Sequence, residues 1–168
     1  GPAMAYQALW PYHQKGVRVH YVSNIDGAAL TQTLASLDPA RTLFVIASKT
    51  FTTQETLTNA HSARSWLVHK LGSAEAVADH FVTVSTNAEA VEEFGIRHDR
   101  MFPFWDWVGG RFSVWSSIGL SLMLGIGSTA FREFLAGAHK MDQHFSVAPF
   151  KQNAPVMMAV LGFWYTRY

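Results

Sequence analysis

Four hydroxyls and one ammonium group fall within the six residues Ser48-Lys49-Thr50-Phe51-Thr52-Thr53, with Gln54-Glu55 directly after them. The preceding run, Thr42 to Ala47 (TLFVIA), is continuously apolar. Such a run reads as a strand covered on both faces. The stretch that follows reads as a helix from Thr52 or Thr53 to Leu71, stopped by Gly72. Short donor-bearing side chains between a buried strand and a helix N-terminus suit one chemistry above others. The first turn of a helix carries unpaired N–H groups and a partial positive charge, so an anion such as phosphate is held there by backbone, hydroxyls and ammonium together. Ser and Thr are also ordinary helix caps, and Gln54-Glu55 has the position to close a capping box. A nucleotide-binding loop is disfavoured, because Lys49-Thr50 lacks the glycines that would precede it.

A second cluster is Val108-Gly109-Gly110-Arg111-Phe112-Ser113, directly after Trp105-Asp106-Trp107. Paired glycines let a ligand approach bare backbone. A guanidinium beside them can hold a carboxylate or phosphate, or stabilise an oxyanion. The plainer reading is a turn in which Arg111 pairs with an acid such as Asp106. The eight histidines (13, 20, 61, 69, 80, 98, 139 and 144) show no metal-binding helical spacing and read as surface or packing residues. Glu92-Glu93 reads as a solvated helix face.

The elements that position these clusters alternate. Val17 to Ser23 (VRVHYVS) reads as a strand by its β-branched alternation, followed by a helix from Ala28 to Leu37 that Asp26 caps. After the long helix come a short helix (Ser73 to Asp79), a strand (Phe81 to Val84), a helix (Asn87 to Phe94) and a strand from Met101 to Phe104 weakened by Pro103. From Val114 the pattern is helical, with breaks near Gly127 and Pro149 to Pro155. Strand–helix alternation with apolar strands implies a parallel sheet between helix layers. Ser117 to Ile126 and Val156 to Tyr165 are apolar nearly all round, as helices buried on every side are.

Composition narrows the classes. The 168 residues are 49% hydrophobic and 15% charged, which excludes a disordered chain. Net charge is +1, so no basic surplus supports nucleic-acid binding. Cysteine is absent, which removes disulfides and thiolate metal sites. No signal peptide or membrane span is visible, and a cytoplasmic α/β protein is expected. The charge is low for 6 Trp and 12 Phe, so apolar patches are expected to stand open to a partner or to further chain.

Taken together, the two clusters resemble the glucose-6-phosphate isomerase (phosphoglucose isomerase) family. The resemblance lies in ASKTFTTQETLTNAHSAR (Ala47 to Arg64) and DWVGGRFSVWSSIGLSL (Asp106 to Leu122), the second being that family's signature. VHYVSNIDG (Val19 to Gly27), EFGI (Glu93 to Ile96) and GAHKMDQHF (Gly137 to Phe145) agree in order. The resemblance runs almost end to end. It implies a sugar isomerase (SIS) domain: α/β, a three-layer α-β-α sandwich around a parallel sheet with a strand order resembling flavodoxin, followed by C-terminal helices. The family's glycine-rich strand lies upstream of these residues. The expected sheet therefore lacks one inner strand, between the strand at Val17 and the strand at Thr42. Residues 1–168 are expected to form one partial domain, with 17–112 the sugar-phosphate-binding part and 113–168 a helical extension.

The resemblance also implies an activity. Glucose 6-phosphate and fructose 6-phosphate would be interconverted through a cis-enediolate, without metal or cofactor, by a parent that is a homodimer. Ser48, Lys49, Thr50 and Thr53 would bind the substrate phosphate. Arg111 would stabilise the enediolate next to the Gly110 backbone, with Lys49 at the same site. The family's base glutamate, ring-opening histidine and later lysine are expected beyond residue 168, so this chain alone is expected to be inactive. The alternative is a sugar-phosphate-binding SIS module without catalysis.

Overall fold

The computed structural model describes residues 1–168. Its sheet has three parallel strands in the order β1 (Phe44–Ala47), β2 (Phe81–Val84), β3 (Met101–Phe102). Phe44 stands opposite Phe81, and Ala47 opposite Val84. β2 is buried at all four positions (FVTV), as the central strand of a covered sheet must be. Its one polar residue, Thr83, donates its hydroxyl to the Ile46 carbonyl at 3.0 Å.

Side chains alternate across the sheet. Phe81 faces a core with Ile46, Leu67, Val77, Val91 and Phe94, supplied by α3 (Gln54–Leu71), α4 (Ala76–His80) and α5 (Ala88–Phe94). Val82 and Val84 face the other way, onto Leu120, with Ile118 and Met123 beside it; Leu120 and Met123 belong to α6 (Leu120–Ile126). Helices thus cover both faces, the three-layer α/β arrangement the sequence implies. No residue of α6 is exposed. α1 (Pro2–Ala8) and α2 (Gly27–Ala35) complete this part, with Asp26 capping α2 by accepting from the Ala28 N–H at 2.9 Å. Gly72 ends α3 at φ 71°, a left-handed position that suits glycine.

One expected strand does not form. Val17 to Ser23 carries no strand, although its alternation is that of one. A ladder needs a neighbour, and β1 pairs only with β2. Instead the segment is held by isolated bonds: the Val17 N–H donates to the Gln14 carbonyl (3.3 Å) and the Tyr21 hydroxyl to Ser121 Oγ (3.3 Å). β3 stops at Phe102, because Pro103 has no N–H to offer the ladder.

The chain divides into two compact units, Gly1–Ile126 and Gly127–Tyr168. The second unit holds α7 (Ser128–Val147) and α8 (Ala154–Arg167). Asn153 makes their corner. It is 3% exposed, donates to the Phe145 carbonyl (2.7 Å) and accepts from the Val156 N–H (3.3 Å). No residue of α8 is buried, and Met158, Phe163, Trp164 and Tyr165 all stand in solvent. No helix is long and apolar enough to cross a membrane.

Candidate functional site

Where β1 ends, the chain makes a tight turn whose peptides are pinned from below. The Ser48 N–H donates to the Val84 carbonyl (3.1 Å), and the Phe51 N–H returns to the Ser48 carbonyl (3.3 Å). Phe51 is the one non-glycine residue with positive φ, at 56°. An aromatic residue resists that region, at a cost of about 1–3 kcal/mol. Burial holds it there: Phe51 is 4% exposed, and its ring lies edge-on to Phe94 at 5.8 Å.

The carbonyls of the turn are engaged on the inner side. The Lys49 carbonyl accepts from the Thr86 N–H (2.9 Å), Thr86 Oγ1 (2.8 Å) and Ser85 Oγ (3.1 Å). Thr50's carbonyl accepts from Asn87 Nδ2 (3.0 Å). In a planar trans peptide the N–H points away from the C=O. Holding the Lys49 carbonyl inward therefore turns the Thr50 N–H outward. α3 then begins, and its first bond runs from the Leu57 N–H to the Thr53 carbonyl (3.0 Å). The N–H groups of Gln54, Glu55 and Thr56 are left over at the helix start, where anions are favoured.

The hydroxyls do not serve as caps. Thr53 stands at the N-cap of α3, but its side chain makes no cap bond. It accepts instead from Ser48 Oγ at 3.2 Å, while Thr50 Oγ1 and Thr52 Oγ1 lie 2.6 Å apart. Ser48 is buried, and Thr50, Thr52 and Thr53 are exposed. Two hydroxyl pairs thus border the outward amides.

Lys49 links the two clusters. Its Nζ donates to the Asp106 carbonyl and to the Val108 carbonyl, the latter at 3.2 Å. Gly110 follows at φ 61°, a left-handed position that lets the chain turn into the short helical segment Gly110–Trp115. Arg111 is exposed and takes no part in either ion pair of the chain, which join Arg97 to Asp99 and Arg100 to Asp79. The pairing with Asp106 that would make it structural is not formed. The structure therefore sets an open guanidinium on a loop tethered to the hydroxyl turn, an arrangement able to hold an anionic group at each end.

Ser85, Thr86 and Asn87 hold this turn through its carbonyls, and no local motif marks them out. The available signal was topological. β1 and β2 run parallel, so the turns that follow both emerge at the same sheet edge, where open α/β folds place ligands. Several histidines are occupied elsewhere: His13 stacks on Tyr6 at 3.7 Å, His61 lies by Phe94, and His80 Nδ1 meets the Thr42 carbonyl at 2.7 Å.

Comparison with known proteins agrees with this geometry. A family model described as phosphoglucose isomerase matches residues 1–168. The glucose-6-phosphate isomerase of Corynebacterium glutamicum is 60% identical over all 168 residues, which cover 31% of that protein. That of Laribacter hongkongensis is 56% identical over the same span, 30% of its length. Among solved structures, a glucose-6-phosphate isomerase from Chlamydia trachomatis superposes with a TM-score of 0.85 at 33% identity, over 98% of this chain and 31% of that one. The chain spans about 30% of the length of the curated relatives it matches. With the family model matched over residues 1–168 and curated relatives 56–60% identical over the whole chain, the chain belongs to the phosphoglucose isomerase family.

Proposed function

We propose that these residues form the phosphate-binding and enediolate-stabilising part of an enzyme that interconverts glucose 6-phosphate and fructose 6-phosphate. The observation that carries this reading is the tether: Lys49 joins the hydroxyl turn to the loop that presents an unpaired Arg111. Ser48, Lys49, Thr50 and Thr53 anchor the phosphate, with the amides at the start of α3. That group lies far from the reacting carbons and supplies binding energy and orientation. A base removes the proton from C1 of the open-chain ketose. The electron pair moves onto the carbonyl oxygen at C2, giving the cis-enediolate; the hydroxyl proton passes from O1 to O2, and as a proton returns to C2 the C1–O1 bond becomes the aldehyde carbonyl of the aldose. Arg111 acts where this negative charge develops, beside the bare backbone of Gly110.

The base, the ring-opening histidine and the later lysine belong to other parts of the complete protein in this reading. The 168 residues alone bind without turnover. The exposed apolar face of α8 supports a homodimeric parent, in which that face is covered.

The test is incubation of the complete protein with fructose 6-phosphate in deuterium oxide. Glucose 6-phosphate is expected to form, part of it carrying deuterium at C2. No glucose 6-phosphate would overturn the reading, leaving a sugar-phosphate-binding module. Deuterium at C2 marks exchange of the abstracted proton on the base, which a direct hydride shift would not give.

A further inference from the structure

We propose that the turn Ser85-Thr86-Asn87 is a positioning brace for the phosphate cradle, with Thr86 its central residue. The inference rests on the cradle reading above. Three donors converge on one oxygen, the Lys49 carbonyl: the Thr86 N–H at 2.9 Å, Thr86 Oγ1 at 2.8 Å and Ser85 Oγ at 3.1 Å. A carbonyl has two lone pairs, so three donors hold this peptide more firmly than a turn of its own requires. The next carbonyl, of Thr50, takes Asn87 Nδ2 at 3.0 Å.

The brace is itself fixed. Ser85 is fully buried, and its Oγ also accepts from the Asn87 N–H at 3.2 Å. Asn87 Oδ1 accepts from the Ala90 N–H at 3.2 Å and caps α5. The turn is thus locked between β2 and α5, two elements with buried side chains. What it fixes is the orientation of the Lys49–Thr50 peptide, whose opposite side carries the Thr50 N–H offered to phosphate; the next N–H, of Phe51, is taken by the Ser48 carbonyl at 3.3 Å. A donor set that orients a ligand-binding group acts on affinity without touching the ligand. The Asn87 bond to the Thr50 carbonyl also helps offset the unfavourable backbone at Phe51, the next residue, where φ is 56°.

Thr86 is exposed, so removing its hydroxyl leaves no buried cavity. The experiment titrates the complete protein with inorganic phosphate and with fructose 6-phosphate by calorimetry, for wild type, Thr86→Val and Thr86→Ser. Steady-state turnover of fructose 6-phosphate is measured on the same samples. Thr86→Val is expected to weaken both ligands by about threefold to tenfold, the effect of one lost hydrogen bond. KM is expected to rise by a similar factor with kcat nearly constant, because phosphate anchoring is shared by ground and transition states. Thr86→Ser restores both, since it keeps the donor. Wild-type binding with Thr86→Val unchanged would overturn the brace and leave the cradle standing. Equal loss in Thr86→Val and Thr86→Ser would also overturn it. No phosphate or sugar-phosphate binding by wild type would remove the cradle reading, and the brace with it.

Discussion

Lys49 donates from Nζ to the carbonyl oxygen of Val108 at 3.2 Å, across 59 positions of sequence. That bond, with its companion to Asp106, joins the loop after β1 to the loop that carries Arg111. The two loops are therefore tied together, and the ammonium group is the joint. Its replacement separates them while leaving each loop's own bonds in place.

Lys49→Met is expected to lower kcat/KM for fructose 6-phosphate in the complete protein by about ten- to a hundredfold, the scale of hydrogen bonds from a charged donor. Steady-state kinetics check this. An unchanged kcat/KM would mean that the loops keep their alignment without the tether.

Thr53 distinguishes a cap from a ligand group. A capping threonine changed to alanine costs about 1 kcal/mol of stability. Thr53 makes no cap bond and pairs with Ser48 instead. Thr53→Ala is expected to change the unfolding free energy, read from denaturant titration, by less than about 0.5 kcal/mol, as exposed positions do. Phosphate binding is expected to weaken by about threefold to tenfold. Loss of stability with binding intact would reverse the assignment.

Phe51 couples core to cradle. Its ring is buried against Phe94 while its backbone takes a positive φ. Phe51→Ala empties that place in the core, with an expected loss of about 3–5 kcal/mol. Phosphate affinity should fall with it, read by calorimetry at a temperature where the variant is still folded. A destabilised variant with full affinity would show that the turn keeps its form without its anchor.

Asn153 tests the second unit separately. Both ends of its amide are bonded and it is almost fully buried. Asn153→Ala removes the α8 cap and leaves the Phe145 carbonyl without its donor. A loss of about 1–3 kcal/mol is expected. Amide exchange at residues 156 and 157 should quicken, with the sheet residues 81–84 unaffected. Uniform change across both regions would contradict a local role.

Most of the sheet and its helices could be read from local pattern. β2 falls at Phe81–Val84 as its apolar run implies, and α3 and α5 end at Gly72 and Gly95, both with positive φ. Val17 to Ser23 misled, because alternation records which side chains a strand could bury but not whether another strand lies beside it. The hydroxyl cluster and the Gly-Gly-Arg loop were visible as residues. Their union was not, since the partners of Lys49 and of its carbonyl lie 36 or more positions away. Tertiary bonds of that span leave no periodic trace. The same limit hid Ser85, Thr86 and Asn87, which look like an ordinary turn before a helix.

In the proposed reaction Arg111, which enters neither ion pair and lies on the loop tied to Lys49, stabilises the enediolate. The most direct measurement is kcat and KM for fructose 6-phosphate in the complete protein, wild type against Arg111→Ala. The account predicts a fall in kcat of about a hundred- to a thousandfold with KM within a few-fold, because the interaction is made where charge develops. A kcat equal to wild type would contradict it, and would leave Arg111 as a surface residue beside a phosphate site.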